Sequence, residues 1–81
     1  MTIDITDLRK TLLTVLPQLP GGENDDLWET GLIDSMTVVE LVEVLEERYS
    51  VRFAPDALRK ENFISVACIG RTLEAAGGER R

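Results

Sequence analysis

Residues 31–49 read GLIDSMTVVELVEVLEERY and carry the clearest helical pattern of the chain. Five of its apolar side chains recur at the spacing of one helix face: Val38, Leu41, Val42, Leu45 and Tyr49. Such a stripe is typical of an amphipathic helix that covers a hydrophobic core. We therefore predict a helix from Ser35 to Tyr49, with this stripe turned inward.

The opposite face of the same helix mixes acidic and apolar residues: Met36, Val39, Glu40, Glu43 and Glu47. An acidic stripe is commonly no more than a solvated face, and like charges at this spacing cost a little helix stability. Apolar residues among charges are typical of the centre of an interface, although single exposed ones are common. We interpret these five residues as a docking face for partner proteins.

Two further helices follow from the apolar spacing on either side. The first is predicted at about 6–16, with Thr6 as its N-cap. The last is predicted at about 66–75, with Ser65 as its N-cap and a glycine pair ending it. Cys68 in this last helix is interpreted as a small core residue rather than a nucleophile.

The chain is predicted to form an all-α fold, a small four-helix bundle of three main helices plus one short helical turn at about 56–60. Its 81 residues are enough for one domain. We expect the domain to span residues 1–76 and residues 77–81 to form a flexible C-terminal tail.

A long connection, residues 17–34, separates the first two helices. A loop of this length in a small domain is usually functional or held down by its own side chains. We expect four apolar residues to hold it: Leu27, Trp28, Leu32 and Ile33. Asp25 and Asp26 are interpreted as a solvated turn, with a divalent-ion site as the alternative.

Composition excludes several classes of function. The net charge of −6 argues against nucleic acid as a partner, because phosphate binding requires a basic surface. The chain has no histidine, which removes His-based acid–base catalysis and His metal ligation, and we expect neither catalytic nor metal-binding residues. It has one cysteine, no apolar run of roughly 20 residues and no signal-peptide pattern at its start, so we expect a cytoplasmic protein that does not bind membranes.

Ser35 is the candidate for chemistry, since its hydroxyl is predicted at the N-terminus of the acidic helix. The helix dipole and free N–H groups at that end favour a nearby phosphate. With no histidine available to activate it, this serine is expected to be modified by another enzyme. An ordinary helix start is the plain alternative, because Asp-Ser pairs often cap helices.

Residues 27–36, LWETGLIDSM, resemble the modification motif of phosphopantetheine carrier proteins, which include acyl, peptidyl and D-alanyl carriers. The resemblance continues through VELV at 39–42, LEERY at 45–49 and ENFISV at 61–66, and so covers nearly the whole chain. Asp-Ser and an apolar residue alone would be a weak signal. Their position after Gly31 and before an acidic helix is far more specific.

The resemblance implies a free-standing carrier, not an enzyme, with 4′-phosphopantetheine attached to Ser35 by a phosphopantetheinyl transferase. The thiol of this arm would hold an acyl or aminoacyl group as a thioester. Asp34 would help the transferase and its metal engage, and the docking face would meet partner enzymes. The implied partners are a loading enzyme, either adenylating enzyme or acyltransferase, and downstream acyl-processing enzymes. We expect the carrier to be a monomer.

Three positions depart from the pattern of fatty-acid carriers. Thr37 stands where they usually have an acid, Glu43 where they are often apolar, and Arg48 interrupts the acidic run. These departures favour an aminoacyl or unusual acyl cargo in specialised biosynthesis of the polyketide or nonribosomal peptide type. A D-alanyl or fatty-acid carrier of the same family and an unmodified helical adaptor are the alternatives, and the identity of the cargo stays open.

Overall fold

The computed structural model describes residues 3–78, and every regular element within that range is helical. The α-helices are α1 (Ile5–Leu13), α2 (Ser35–Tyr49) and α3 (Val66–Gly78). Two 3-10 turns, Pro55–Ala57 and Lys60–Phe63, lie between α2 and α3. The predicted all-α fold with three main helices is confirmed.

One hydrophobic core joins the three helices and the loops between them. Its completely buried side chains are Leu8, Leu12, Leu27, Leu41, Leu45, Phe63, Val66, Ile69 and Leu73. The predicted inner face of α2 is confirmed, because Leu41 and Leu45 are buried and Val38, Val42 and Tyr49 pack partly buried against the core. Val51 and Phe53 close the core where the chain leaves α2.

Helix α1 starts and ends earlier than predicted. Asp4, not Thr6, is the N-cap, and its carboxylate accepts a hydrogen bond from the Thr6 N–H at 2.9 Å. The helix ends at Leu13, and the chain then continues through a turn in which Leu16 still becomes buried. The apolar stripe therefore runs beyond the helix itself, which explains why spacing alone predicted too late an end.

Two hydrogen bonds to Asp7 connect the start of α1 to the end of α2. The Tyr49 hydroxyl donates to Asp7 Oδ2 at 2.6 Å, and Arg48 Nη2 donates to Asp7 Oδ1 at 2.7 Å. The first contact lowers the pKa of the Asp7 carboxyl, which the Arg48 charge lowers further. Burial and the Asp7 contact raise the pKa of Tyr49 above its ordinary value of 10.0.

The region between α2 and α3 also differs in detail from the prediction. The single turn expected at 56–60 is replaced by the two 3-10 turns, because Leu58 leaves the helical region with φ −85° and ψ 63°.

Ser65 caps α3 as predicted, since its hydroxyl oxygen accepts a hydrogen bond from the Cys68 N–H at 3.2 Å. Cys68 itself is only half-buried, and Arg71 Nη2 donates to its sulfur at 3.3 Å.

Helix α3 runs to Gly78, three residues past the predicted end at Ala75, so the glycine pair continues the helix rather than stopping it. Residues 77 and 78 of the predicted flexible tail are therefore helical. The remainder of that tail, residues 79–81, lies outside the described residues.

Candidate functional site

The long loop before α2 is fastened to the start of α3. The Leu27 N–H donates to the Ile64 carbonyl at 2.7 Å, and the Ala67 N–H donates to the Glu23 carbonyl at 2.9 Å. The predicted apolar anchors act as expected, because Leu27 and Ile33 are buried and Trp28 and Leu32 pack partly buried against the core. The loop therefore delivers the chain to α2 from a fixed position.

A tight reversal then brings the chain to the first residue of α2. The N–H groups of Leu32 and Ile33 both donate to the Leu27 carbonyl, each at 3.1 Å. Gly31, directly before Leu32, has φ +80°, in the left-handed region that glycine adopts without a steric penalty. The Gly31 position in the motif thus has a conformational reason.

Asp34 and Ser35 form the start of α2. Asp34 is the extended N-cap, and its Oδ1 accepts hydrogen bonds from the Thr37 N–H at 2.9 Å and from the Thr37 hydroxyl at 3.0 Å. Ser35 is the first helical residue, and both Asp34 and Ser35 are exposed. The serine hydroxyl is thus placed at a helix N-terminus within reach of another protein.

The two contacts from Thr37 also set the electrostatics of this end of the helix. The Thr37 N–H, followed by the Thr37 hydroxyl, lowers the pKa of the Asp34 carboxyl below its ordinary value of 3.8. Hydrogen bonds to a carboxylate favour its charged form. Asp34 therefore stays ionised beside Ser35 at neutral pH.

The side chains predicted to dock partners all lie on the exposed surface of α2: Met36, Val39, Glu40, Glu43 and Glu47. Met36 is 78% exposed and Val39 is 59% exposed, although both are large and apolar. Met36 directly follows Ser35, so the apolar part of the face lies at the serine end of the helix. The structure thus brings Ser35 and these five residues onto one accessible helix.

Asp25 and Asp26 organise the turn of the loop. Asp25 Oδ2 accepts a hydrogen bond from the Gly22 N–H at 3.1 Å, while Asp26 Oδ1 accepts from the N–H groups of Trp28 and Glu29, each at 2.9 Å. Within residues 3–78 no group of three or more acidic, histidine or cysteine side chains is placed to hold a metal ion. Over the same range no helix has both the length and the apolar character to cross a bilayer.

This geometry agrees with a comparison against known families. The family model described as phosphopantetheine attachment site matches residues 5–67. The chain belongs to this family. As a carrier domain of that family it holds 4′-phosphopantetheine covalently on a serine and does not itself catalyse a reaction. Such carrier domains interact with phosphopantetheinyl transferases and with biosynthetic enzymes. No curated protein matches the chain.

Two features of this carrier domain were missed by reasoning from sequence. In the sequence Thr37 is only a departure from a family pattern, yet in the structure it supplies two donors to the Asp34 cap. Its position three residues after an N-cap aspartate was the signal that could have revealed this, because that position commonly contacts the cap. The contact of Trp28 Nε1 with the Phe63 carbonyl at 3.0 Å had no local signal, since 35 positions separate the two residues.

Proposed function

We propose that Ser35 carries the phosphopantetheine arm and that the protein presents an acyl or aminoacyl group to partner enzymes. When bound, the arm supplies a terminal thiol that holds the cargo as a thioester. The observation that supports this assignment is the exposed position of Ser35 at the first residue of α2.

The other two serines of the chain offer poorer attachment points. Ser65 is 4% exposed, and its hydroxyl is engaged in capping α3. Ser50 is exposed but lies at the C-terminal end of α2, in the left-handed conformation with φ 55°. A helix C-terminus carries partial negative charge and disfavours a phosphodiester, whereas a helix N-terminus favours one.

The residues around Ser35 fit a phosphodiester on its hydroxyl. Only Oδ1 of Asp34 is engaged by Thr37, and the first turn of α2 supplies the positive end of the helix dipole. The Asp34 charge opposes a phosphate nearby, but both Asp34 and Ser35 are exposed, so water screens that repulsion. The absence of histidine leaves the activation of the hydroxyl to the transferase.

The docking face is proposed as the surface that partner enzymes contact. Apolar Met36 and Val39 next to the serine, with Glu40, Glu43 and Glu47 farther along, suit a partner with an apolar centre and a basic rim. Complementary charge of this kind accelerates encounter.

The pathway is proposed from the departures from fatty-acid carriers. Thr37 stands where those carriers usually have an acid and Glu43 where they are often apolar, which favours specialised biosynthesis of the polyketide or nonribosomal peptide type. The loading enzyme is then an adenylating enzyme or an acyltransferase, acting on the carrier in the cytoplasm. The intact mass of the protein isolated from its native host would show the arm and its cargo together. A fatty acyl or D-alanyl mass would overturn this pathway assignment.

Intact mass spectrometry also tests the attachment site. The protein is incubated with coenzyme A and a permissive phosphopantetheinyl transferase, and the expected result is a mass gain of one arm. Ser35→Ala should abolish the gain, whereas Ser50→Gly should retain it, because glycine fits the left-handed conformation of that residue. An unchanged gain in Ser35→Ala would contradict the assignment of Ser35. No gain in the wild type would favour an unmodified adaptor.

A further inference from the structure

In the Asp34–Thr37 contact at the start of α2, one carboxylate oxygen receives two donors from one residue. The Thr37 N–H donates to Asp34 Oδ1 at 2.9 Å, and the Thr37 hydroxyl donates to the same oxygen at 3.0 Å. A cap needs only the backbone contact to satisfy an orphan N–H of the first turn. The hydroxyl contact is therefore a second restraint on the carboxylate, separate from the backbone cap.

The second donor restricts rotation of the carboxylate. With the N–H alone, the Asp34 carboxylate can turn about its last side-chain bond, since such terminal torsions are broad. With two donors on Oδ1, that oxygen is held at the first turn of α2, which fixes the plane of the carboxylate beside the exposed Ser35.

We propose that Thr37 is a positioning residue for the modification of Ser35, acting by fixing the orientation of the Asp34 carboxylate beside the serine hydroxyl. This inference rests on the proposed attachment at Ser35. In that transfer the serine oxygen forms a bond to the phosphorus of coenzyme A that carries the pantetheine arm. The phosphoanhydride bond breaks, adenosine 3′,5′-bisphosphate leaves, and the hydroxyl proton passes to the transferase. Orientation of groups at the attacking atom contributes to the rate of such a step.

Two substitutions separate the hydroxyl from the rest of the side chain. Thr37→Val keeps the shape and the backbone N–H contact but removes the hydroxyl donor. Thr37→Ser keeps the hydroxyl and removes a methyl group. Serine, threonine and valine have similar helix propensities, so neither change alters α2 strongly.

The experiment measures initial rates of loading with coenzyme A and a permissive transferase at several concentrations of the unmodified protein. We expect Thr37→Val to lower kcat by roughly threefold to tenfold, the effect of about one ordinary hydrogen bond. KM should change by less than about twofold, because the docking face is intact. Thr37→Ser should restore kcat to within about twofold of wild type. Melting curves establish that each variant is folded.

A double-mutant cycle tests whether Thr37 acts through Asp34. In an Asp34→Ala background Thr37 has no side-chain oxygen to hold, so adding Thr37→Val should lower kcat no further. A full additional loss in that background would overturn the inference, as would wild-type kcat in Thr37→Val or equal losses in the valine and serine variants. These three outcomes leave the wild-type mass gain, and therefore the proposed function, intact. A wild type that gains no mass would overturn both.

Discussion

The indole N–H of Trp28 donates a hydrogen bond to the backbone carbonyl of Phe63 at 3.0 Å, which joins the loop before α2 to the turn before α3. Lys60 adds a second contact, with its ammonium 5.5 Å from the centre of the indole ring. Trp28 thus links the segment that leads to Ser35 with a part of the chain 35 residues farther on.

We expect Trp28→Phe to destabilise the protein by about 1 kcal/mol, because the Phe63 carbonyl loses its indole donor. Urea unfolding followed by circular dichroism measures the change. Lys60→Met separates the two contacts, since it removes only the cation above the ring, and should cost less than Trp28→Phe. Equal stability of Trp28→Phe and wild type would show that the hydrogen bond does not hold the loop.

Gly31→Ala should destabilise the protein by about 1–2 kcal/mol, because residue 31 lies at φ +80°, where a Cβ atom is disfavoured. Space is not the reason, since an added Cβ would meet no atom within 4 Å. Gly21→Ala is the matched control: it too has open space, but its φ is not in the left-handed region. Similar thermal stabilities for the two variants would contradict this explanation.

Leu45→Ala should lower the free energy of unfolding by about 2–5 kcal/mol, because Leu45 is completely buried in the core and its truncation leaves a cavity. Val39→Ala on the same helix is the control, since Val39 is 59% exposed and should change stability by less than about 0.5 kcal/mol. Denaturant unfolding compares them, and a wild-type midpoint for Leu45→Ala would be inconsistent with this core.

Stability should fall at alkaline pH through Tyr49. The pKa of Tyr49 is raised in the folded protein, so the hydroxyl keeps its proton after the unfolded chain has lost it. The stability from the Asp7 contact is therefore fully present below pH 10.0 and is lost as pH rises from there through the folded pKa. Tyr49→Phe should be less stable than wild type at neutral pH, and its stability should fall less steeply at alkaline pH. Melting temperatures measured between about pH 8 and 11 would show both effects.

The same hydrogen bond should also weaken at acidic pH, through protonation of Asp7. The pKa of Asp7 is lowered in the folded protein, first by the Tyr49 hydroxyl, so its contribution is present above the ordinary value of 3.8. It is lost as pH falls through the lower folded pKa. If Tyr49→Phe follows the wild-type pH profile at both ends, the pair does not contribute to stability.

Charge reversal at Glu43 or Glu47 should slow loading by the transferase, by roughly threefold to tenfold at low salt and less at high salt. Both side chains lie on the exposed docking face. Asp56→Lys makes the same change in net charge on the exposed 3-10 turn and should leave the rate near that of wild type. A rate that ignores both the position of the charge and the ionic strength would exclude electrostatic docking through this face.

Sequence reasoning succeeded where one long periodic pattern dominated. Helix α2 begins at Ser35 and ends at Tyr49 as predicted, because its stripe of core residues continues without a break. At α1 two good capping residues, Asp4 and Thr6, lie two positions apart, and spacing alone could not choose between them.

The features that could not be predicted depend on tertiary contacts. Helix α1 ends at Leu13, but a turn after it still buries Leu16. The apolar spacing in the sequence therefore continues past the end of the helix. The short helix before α3 was misplaced because Leu58 leaves the helical conformation. The fastening of the loop to Ile64 and Ala67 joins segments far apart in the chain, and no local propensity encodes it.

That fastening has a consequence for the newly made chain. The loop and α2 emerge from the ribosome before α3, because they precede it in the chain. Ser35 therefore leaves the exit tunnel ahead of the segment that holds its loop in place. Until α3 has emerged, the Leu27 and Glu23 contacts have no partners. A transferase that recognises the folded conformation around Ser35, and not only the local sequence, would find its substrate complete only after α3 has emerged. The order of translation would then delay loading until the domain has folded.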